Sequence, residues 1–123
     1  MEMFENFGIG VDIETVNRFR KLNRVKDVIF LEKIFTKNEL DYCFSKKDNA
    51  GQHLTARFAG KEAIIKALSS INEIIVHQKI EIINNKIGVP IVKLKSSRIN
   101  FKIKLSLSHC EDKAIAFAIA IKA

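Results

Sequence analysis

The chain predicts an α+β fold: a mostly antiparallel sheet packed on one long central helix, with shorter helices beside it. Three observations carry this. A glycine-interrupted strand pattern opens the chain, FGIGVDI at 7–13; a long helical stretch near 53–70 is apolar on two faces; alternating segments fill the last third. The order strand, short helices, long helix, four strands groups most strands together, as an antiparallel sheet against one helix requires.

Residues 7–13 alternate and are β-branched, hence a strand. Gly8 and Gly10 inside it point to close approach by another backbone or a ligand. Asp12 is an acid in an otherwise apolar element, and is also a candidate cap for the next helix. A helical stretch follows over 15–24, with Val16, Phe19 and Leu22 on its apolar face; Arg18, Arg20, Lys21, Arg24 and Lys26 form the most basic patch. A second helical segment covers about 26–34. Thr36-Lys37-Asn38-Glu39 matches a capping box and should open a helix through Phe44. SKKDNAG at 45–51 reads as a surface loop.

Beyond the long helix, 74–84 reads as a strand and Asn84-Asn85-Lys86-Ile87-Gly88 as a turn. Pro90 opens a short strand, and KIKLSLS at 102–108 should face the core on one side. His109-Cys110-Glu111-Asp112 reads as a polar turn. Over 114–122 alanine alternates with Ile115, Phe117, Ile119 and Ile121, the pattern expected of a strand packed closely on both sides.

Projected at about 100° per residue, Leu54, Phe58, Ile64, Ile65 and Leu68 form one broad stripe of the long helix, and Ala59, Ala63 and Ala67 line the opposite side. Arg57 and Lys61 project into the apolar stripe and Glu62 borders it. Buried charges are costly unless paired, hydrogen-bonded or metal-bound. Either this is a core helix with a Glu62–Lys66 surface pair, or it carries a site; the second reading explains the intruding charges.

A chain of 123 residues fits one domain, 1–123, with a modest core. Twenty-one Lys+Arg against 14 Asp+Glu leave a net charge of +7, which favours anionic partners. The N-terminal MEMFENF has no leader pattern, and the apolar run 114–121 is far short of the roughly 20 residues of a spanning helix, so no membrane partner is expected. Cys43 and Cys110 show no metal or redox spacing, and a reducing, cytoplasmic setting is expected. A nucleic-acid-binding module is the rival reading of the charge. No aromatics interleave with the basic residues and no binding motif is present, so no nucleic-acid partner is expected.

GIG lacks the spacing of a dinucleotide fingerprint or phosphate loop, there is no GxSxG elbow, and His53, His77 and His109 lack metal-ligand spacing. Two carboxylates in apolar elements remain, Asp12 and Glu62, together with Arg57, Lys61, Lys66 and His109. Magnesium takes one or two protein carboxylates and completes its shell with water and substrate phosphate, while neighbouring cations hold the remaining phosphate charge. These residue types point to phosphoryl-type transfer from a polyanionic substrate.

GIGVDIETVNR (8–18), FLEKIFTKNEL (30–40), RFAGKEAIIKAL (57–68), the Gly88-Val89-Pro90 turn and SLSH (106–109) together span nearly the whole chain. In this set and order the chain resembles the holo-[acyl-carrier-protein] synthases, small 4'-phosphopantetheinyl transferases. The resemblance implies transfer of phosphopantetheine from coenzyme A to a serine of apo-acyl carrier protein in fatty acid biosynthesis, releasing adenosine 3',5'-bisphosphate. It implies a catalytic set of Asp12, Glu62 and Lys66, with magnesium on Asp12 and Glu62. Arg57, Lys61 and Lys66 would then lie near the coenzyme, Gly88, Pro90 and His109 at its nucleotide end. Arg18, and with it Lys21 and Arg24, would meet the carrier's acidic helix. It also implies a homotrimer with sites between subunits. The chain departs from the family pattern in three places: Ser69-Ser70-Ile71 replaces Gly-Thr-Gly, Lys113 an aromatic residue, and Gly60 a common alanine.

Overall fold

A computed structural model describes residues 5–96 and 98–123. Residues 1–4, part of the N-terminal MEMFENF, and Ser97, in the polar connection 96–100, lie outside the described residues. Strand β1 (Phe7–Thr15) leads into α1 (Asn17–Arg20), α2 (Val28–Ile34) and α3 (Lys37–Phe44). A 3-10 turn, Lys47–Asn49, precedes the 20-residue α4 (Ala50–Ser69). A second, His77–Lys79, precedes β2 (Ile80–Asn84), which is followed by β3 (Pro90–Leu94), β4 (Phe101–Cys110) and β5 (Lys113–Lys122). The strands form an antiparallel three-stranded sheet in the order β1-β5-β4, and β2 and β3 form a separate antiparallel hairpin.

Helix α4 is buried on both faces because it divides two cores. On one side Ala59, Ala63, Ile64, Ala67 and Leu68 pack with Ile80, Ile82 and the alanines of β5. On the other, Leu54 and Phe58 close over Phe19, Leu31, Phe35 and Leu40. The fully buried Leu54, Ile64 and Leu68 each contribute about 1.5–3 kcal/mol. The glycines of β1 are explained by backbone contact: a Cβ on Gly8 would lie 2.1 Å from the Ala67 carbonyl oxygen, and one on Gly10 1.9 Å from that of Ala63. Two glycines and two alanines thus let strand and helix touch main chain to main chain.

Several local expectations are corrected. The helix expected over 15–24 stops at Arg20. Asn23 Oδ1 accepts from the amides of Val25 and Lys26, and Asp27 accepts from that of Asn23, side-chain bonds that compete with a helix. Only 80–84 of the expected strand 74–84 is strand. The Lys79 amide turns back to the Val76 carbonyl, and the carbonyl of His77 is taken by Lys61. The 45–51 segment is not all loop, because α4 already begins at Ala50. His109 and Cys110 belong to β4, paired with Ala114 and Lys113, and the turn is Glu111-Asp112 alone, with Glu111 at φ 53°. The capping box at Thr36 and Glu39 forms in both directions. Where the family pattern has glycines after the long helix, Asn72 supplies the left-handed residue (φ 67°), and the Glu73 amide closes on Leu68.

The β5 strand is packed on one face, not two. Its methyl face, Ala114, Ala116, Ala118 and Ala120, is buried, the last three against α4. Ile115, Phe117 and Ile121 point outward beside Phe7, Ile9, Val11 and Ile13 of β1, all between 37% and 61% exposed.

Candidate active site

The close crossing of β1 over α4 sets the site. With Gly8 and Gly10 against the Ala67 and Ala63 carbonyls, the end of β1 lies alongside Glu62 and Lys66. Asp12 and Glu14, two residues apart on β1, share the face that meets the helix. Lys66 donates to the Val11 carbonyl at 3.0 Å and pairs with Asp12 Oδ1 at 3.2 Å. Asp12 Oδ2 is sealed from solvent and has no hydrogen-bond partner. Glu14 pairs with Arg18 at 3.4 Å. Burial, then hydrogen bonding and charge from Asp12, push the Glu14 carboxyl up to about 7; Arg18 opposes this and Glu62 adds to it. Asp12 and Glu14 of β1 thus lie beside Lys66 of α4, one helical turn beyond Glu62.

Glu62 is half-buried, its Oε1 standing 3.7 Å from His77 Nε2. The His77 ring stacks on Phe58 at 5.6 Å and 8°, and the Arg18 guanidinium lies 4.8 Å from the same phenyl centroid. Asp12 and Glu62 are the carboxylates here that could hold magnesium, an ion that takes oxygen ligands, with Lys66 beside Asp12 and His77 beside Glu62. Among the described residues no group of three Asp, Glu, His or Cys side chains is placed to hold a metal alone.

The other expected residues are distributed differently. Lys61 is fully buried, paired with Glu39 at 2.6 Å and donating to the carbonyls of Ile34 (2.7 Å) and His77 (3.0 Å). Its three protons are all committed inside the fold, so the expected coenzyme contact is corrected to a structural anchor. Burial holds its ammonium below the ordinary lysine range, against the pull of Glu39. Arg57 is 3% exposed with its guanidinium 4.4 Å from the Tyr42 ring centroid, and its Nε is buried without a partner. His109 is exposed at the end of β4, held by Gln52, whose Nε2 lies 2.8 Å from Nδ1. Gly88 (φ 86°) and Pro90 sit on the β2–β3 hairpin, with open space around Gly88. Of the basic patch, Lys21 is exposed at the end of α1, whereas Arg24 is bound to Asp41.

Four participants escaped the sequence reading. Glu14 carried a signal, since it alternates with Asp12 on one strand face. Glu39 was legible as a cap, but not as the partner of Lys61. His77 and Gln52 carried none, because each meets its partner only through the packing of separate elements.

The chain is similar to known proteins along nearly its whole length. Residues 8–119 match the profile of the 4'-phosphopantetheinyl transferase superfamily. A holo-[acyl-carrier-protein] synthase of Thermodesulfovibrio yellowstonii is 43% identical over 112 residues, covering 91% of this chain and 96% of that protein. One from Chlamydia muridarum is 42% identical over 119 residues, covering 93% and 94%. Among solved structures, a Bacillus anthracis holo-(acyl-carrier-protein) synthase in complex with CoA (3',5'-ADP) superposes with a TM-score of 0.75 at 28% identity, covering 94% and 96% of the two chains. The Plasmodium yoelii holo-ACP-synthase superposes with a TM-score of 0.74 at 31% identity, covering 94% of each. The fold is that of a small phosphopantetheinyl-transferring enzyme. The chain belongs to the 4'-phosphopantetheinyl transferase superfamily, within its holo-[acyl-carrier-protein] synthase family.

Proposed function

We propose that this protein transfers 4'-phosphopantetheine from coenzyme A to a serine of an apo-acyl carrier protein in fatty acid biosynthesis, using magnesium held by Asp12 and Glu62. The single observation that supports this best is the pair of adjoining carboxyls of β1, Asp12 with an oxygen sealed from solvent and Glu14 held well above the usual carboxylate range beside it, next to Lys66 of α4. Two partly buried carboxyls this close cannot both be ionised without cost, and a cation there removes the cost. Bound at this place, magnesium supplies charge neutralisation on the diphosphate.

The chain's own residues do the rest. The serine oxygen bonds to the β-phosphorus and gives up its proton to water, as the bond to the leaving adenosine 3',5'-bisphosphate breaks and its electron pair departs on that leaving group. Lys66, anchored to the Val11 carbonyl and Asp12, holds phosphate oxygen charge. Arg18, half-exposed and braced on Phe58, with exposed Lys21, faces the carrier. Arg24 also joins this basic surface, attenuated by Asp41. Arg57, His109, Gly88 and Pro90 bind the coenzyme. The carboxylates of β1 and the hairpin of Gly88 belong to different sheets, and a second copy of the chain can unite such pieces. We therefore propose a homotrimer with sites between subunits. The exposed apolar face of β1 and β5 supports it, since contiguous apolar faces on soluble proteins mark interfaces. The reaction takes place in one domain, 1–123, in the cytoplasm, where coenzyme A and carrier meet.

The test is to incubate the protein with coenzyme A, magnesium and an apo-carrier, then weigh the carrier. The carrier gains the mass of phosphopantetheine only when all components are present; an unchanged mass refutes the activity. Light scattering should give three times 14.0 kDa, and a fully active monomer refutes the shared site.

A further inference from the structure

His77 is captured from two consecutive positions of α4. Lys61, itself buried and tied to Glu39, donates to the His77 carbonyl at 3.0 Å. Glu62, the next residue, presents Oε1 to the His77 ring at 3.7 Å. The ring lies flat against Phe58, which favours this orientation. Its Nε2 is sealed from solvent and makes no hydrogen bond. Roughly nine in ten buried polar groups have a partner, and Glu62 Oε1 is an acceptor 3.7 Å from this one. A few tenths of an ångström separate the pair from an ordinary hydrogen bond, and such contacts at sites without substrate are often long and tighten in the complex.

We propose that His77 is a positioning residue for Glu62: its Nε2–H holds one carboxylate oxygen and leaves the other for the metal. This rests on the reading of Glu62 as a magnesium ligand. A glutamate has three side-chain torsions and, half-exposed, would otherwise sample several rotamers. Hydrogen-bonding a ligating carboxylate from behind fixes its orientation, and loss of such partners typically costs about 10–100-fold in metal affinity. The rigid support is built from the fold outward: Glu39 holds Lys61, Lys61 holds the His77 backbone, Phe58 holds the ring, and the ring holds Glu62.

The experiment measures Mn2+ binding by electron paramagnetic resonance on the full protein with coenzyme A present and carrier absent, so that no turnover occurs. His77→Phe keeps a stacking ring and removes the donor; His77→Gln keeps a donor and gives up the ring. His77→Phe should weaken Mn2+ binding by about 10–100-fold and raise half-saturating magnesium in the transfer assay equally. KM for the carrier and the melting temperature without metal should stay near wild type. His77→Gln should recover most of the affinity. Wild-type Mn2+ affinity in His77→Phe overturns the positioning role. So does an equal loss in both variants accompanied by a lower metal-free melting temperature, which marks a packing role only. Should the phenylalanine not fold, His77→Met removes the donor at similar volume and is judged by the same comparison. Glu62→Gln run alongside separates the two ideas: wild-type affinity there refutes the metal reading itself, and the His77 role with it.

Discussion

Replacing Lys61 with methionine tests whether this lysine belongs to the fold or to the coenzyme. The side chain is fully buried, and its ammonium serves the Glu39 carboxylate at 2.6 Å and the carbonyls of Ile34 and His77 at 2.7 and 3.0 Å. Methionine fills a similar volume but leaves Glu39, itself 1% exposed, as a buried anion. That anion keeps only the amides of Thr36 and Ile82, both at 2.8 Å. Removing one partner of a buried pair costs about 3–5 kcal/mol, a large part of the roughly 5–15 kcal/mol that stabilises a domain. At about 3–5 °C per kcal/mol for a chain of this size, the melting temperature should fall by roughly 10–25 °C. Adding Glu39→Gln to Lys61→Met should restore part of the loss, since the uncompensated charge goes with it; the two sites share partners and are not additive. Urea unfolding of wild type, both singles and the double measures the coupling. A Lys61→Met protein within about 1 kcal/mol of wild type would refute the structural assignment, a threshold set by ordinary surface changes. If it also had a raised KM for coenzyme A, Lys61 would be a coenzyme contact.

The other predictions concern β1 and its carboxylates. Asp12→Asn and Glu62→Gln should each raise the magnesium requirement and lower kcat by a few hundredfold, the typical worth of such electrostatic stabilisation at about 3–4 kcal/mol; early melting with normal turnover at low magnesium would remove the metal site. Gly10→Ala should destabilise by at least about 1–3 kcal/mol, because the new methyl would sit 1.9 Å from the Ala63 carbonyl oxygen; a wild-type urea midpoint would mean that β1 does not lie against α4. Glu14, raised from 4.5 to about 7 when folded, binds its proton more tightly in the native state than in the unfolded one. Its favourable contribution is complete below pH 4.5 and is lost as pH rises through 7. In EDTA-treated protein the fall in melting temperature between pH 5 and pH 8 should therefore shrink in Glu14→Gln, and an unchanged fall would refute the coupling.

Local chemistry made much of this protein legible without coordinates. FGIGVDI is a strand because its residues alternate and branch at Cβ, Thr36 and Glu39 satisfy each other's amides within one turn, and RFAGKEAIIKAL has the period of a helix buried twice. The identity of the family was legible in the same stretches. What periodicity could not decide was which of two apolar faces turns inward. In β5 the alanines do, because Gly8, Gly10 and the alanines of α4 bring sheet and helix too close for anything larger, so Phe117 and its neighbours are left outward. Partner choice was likewise decided only in three dimensions. Lys61 finds Glu39 and not Asp12 or Glu62, and Glu62 meets His77, because an ion pair or hydrogen bond depends on separations of a few ångströms between elements far apart in the chain. Residue spacing along one helix or strand carries no information about those separations; the packing of α4 between its two cores sets them.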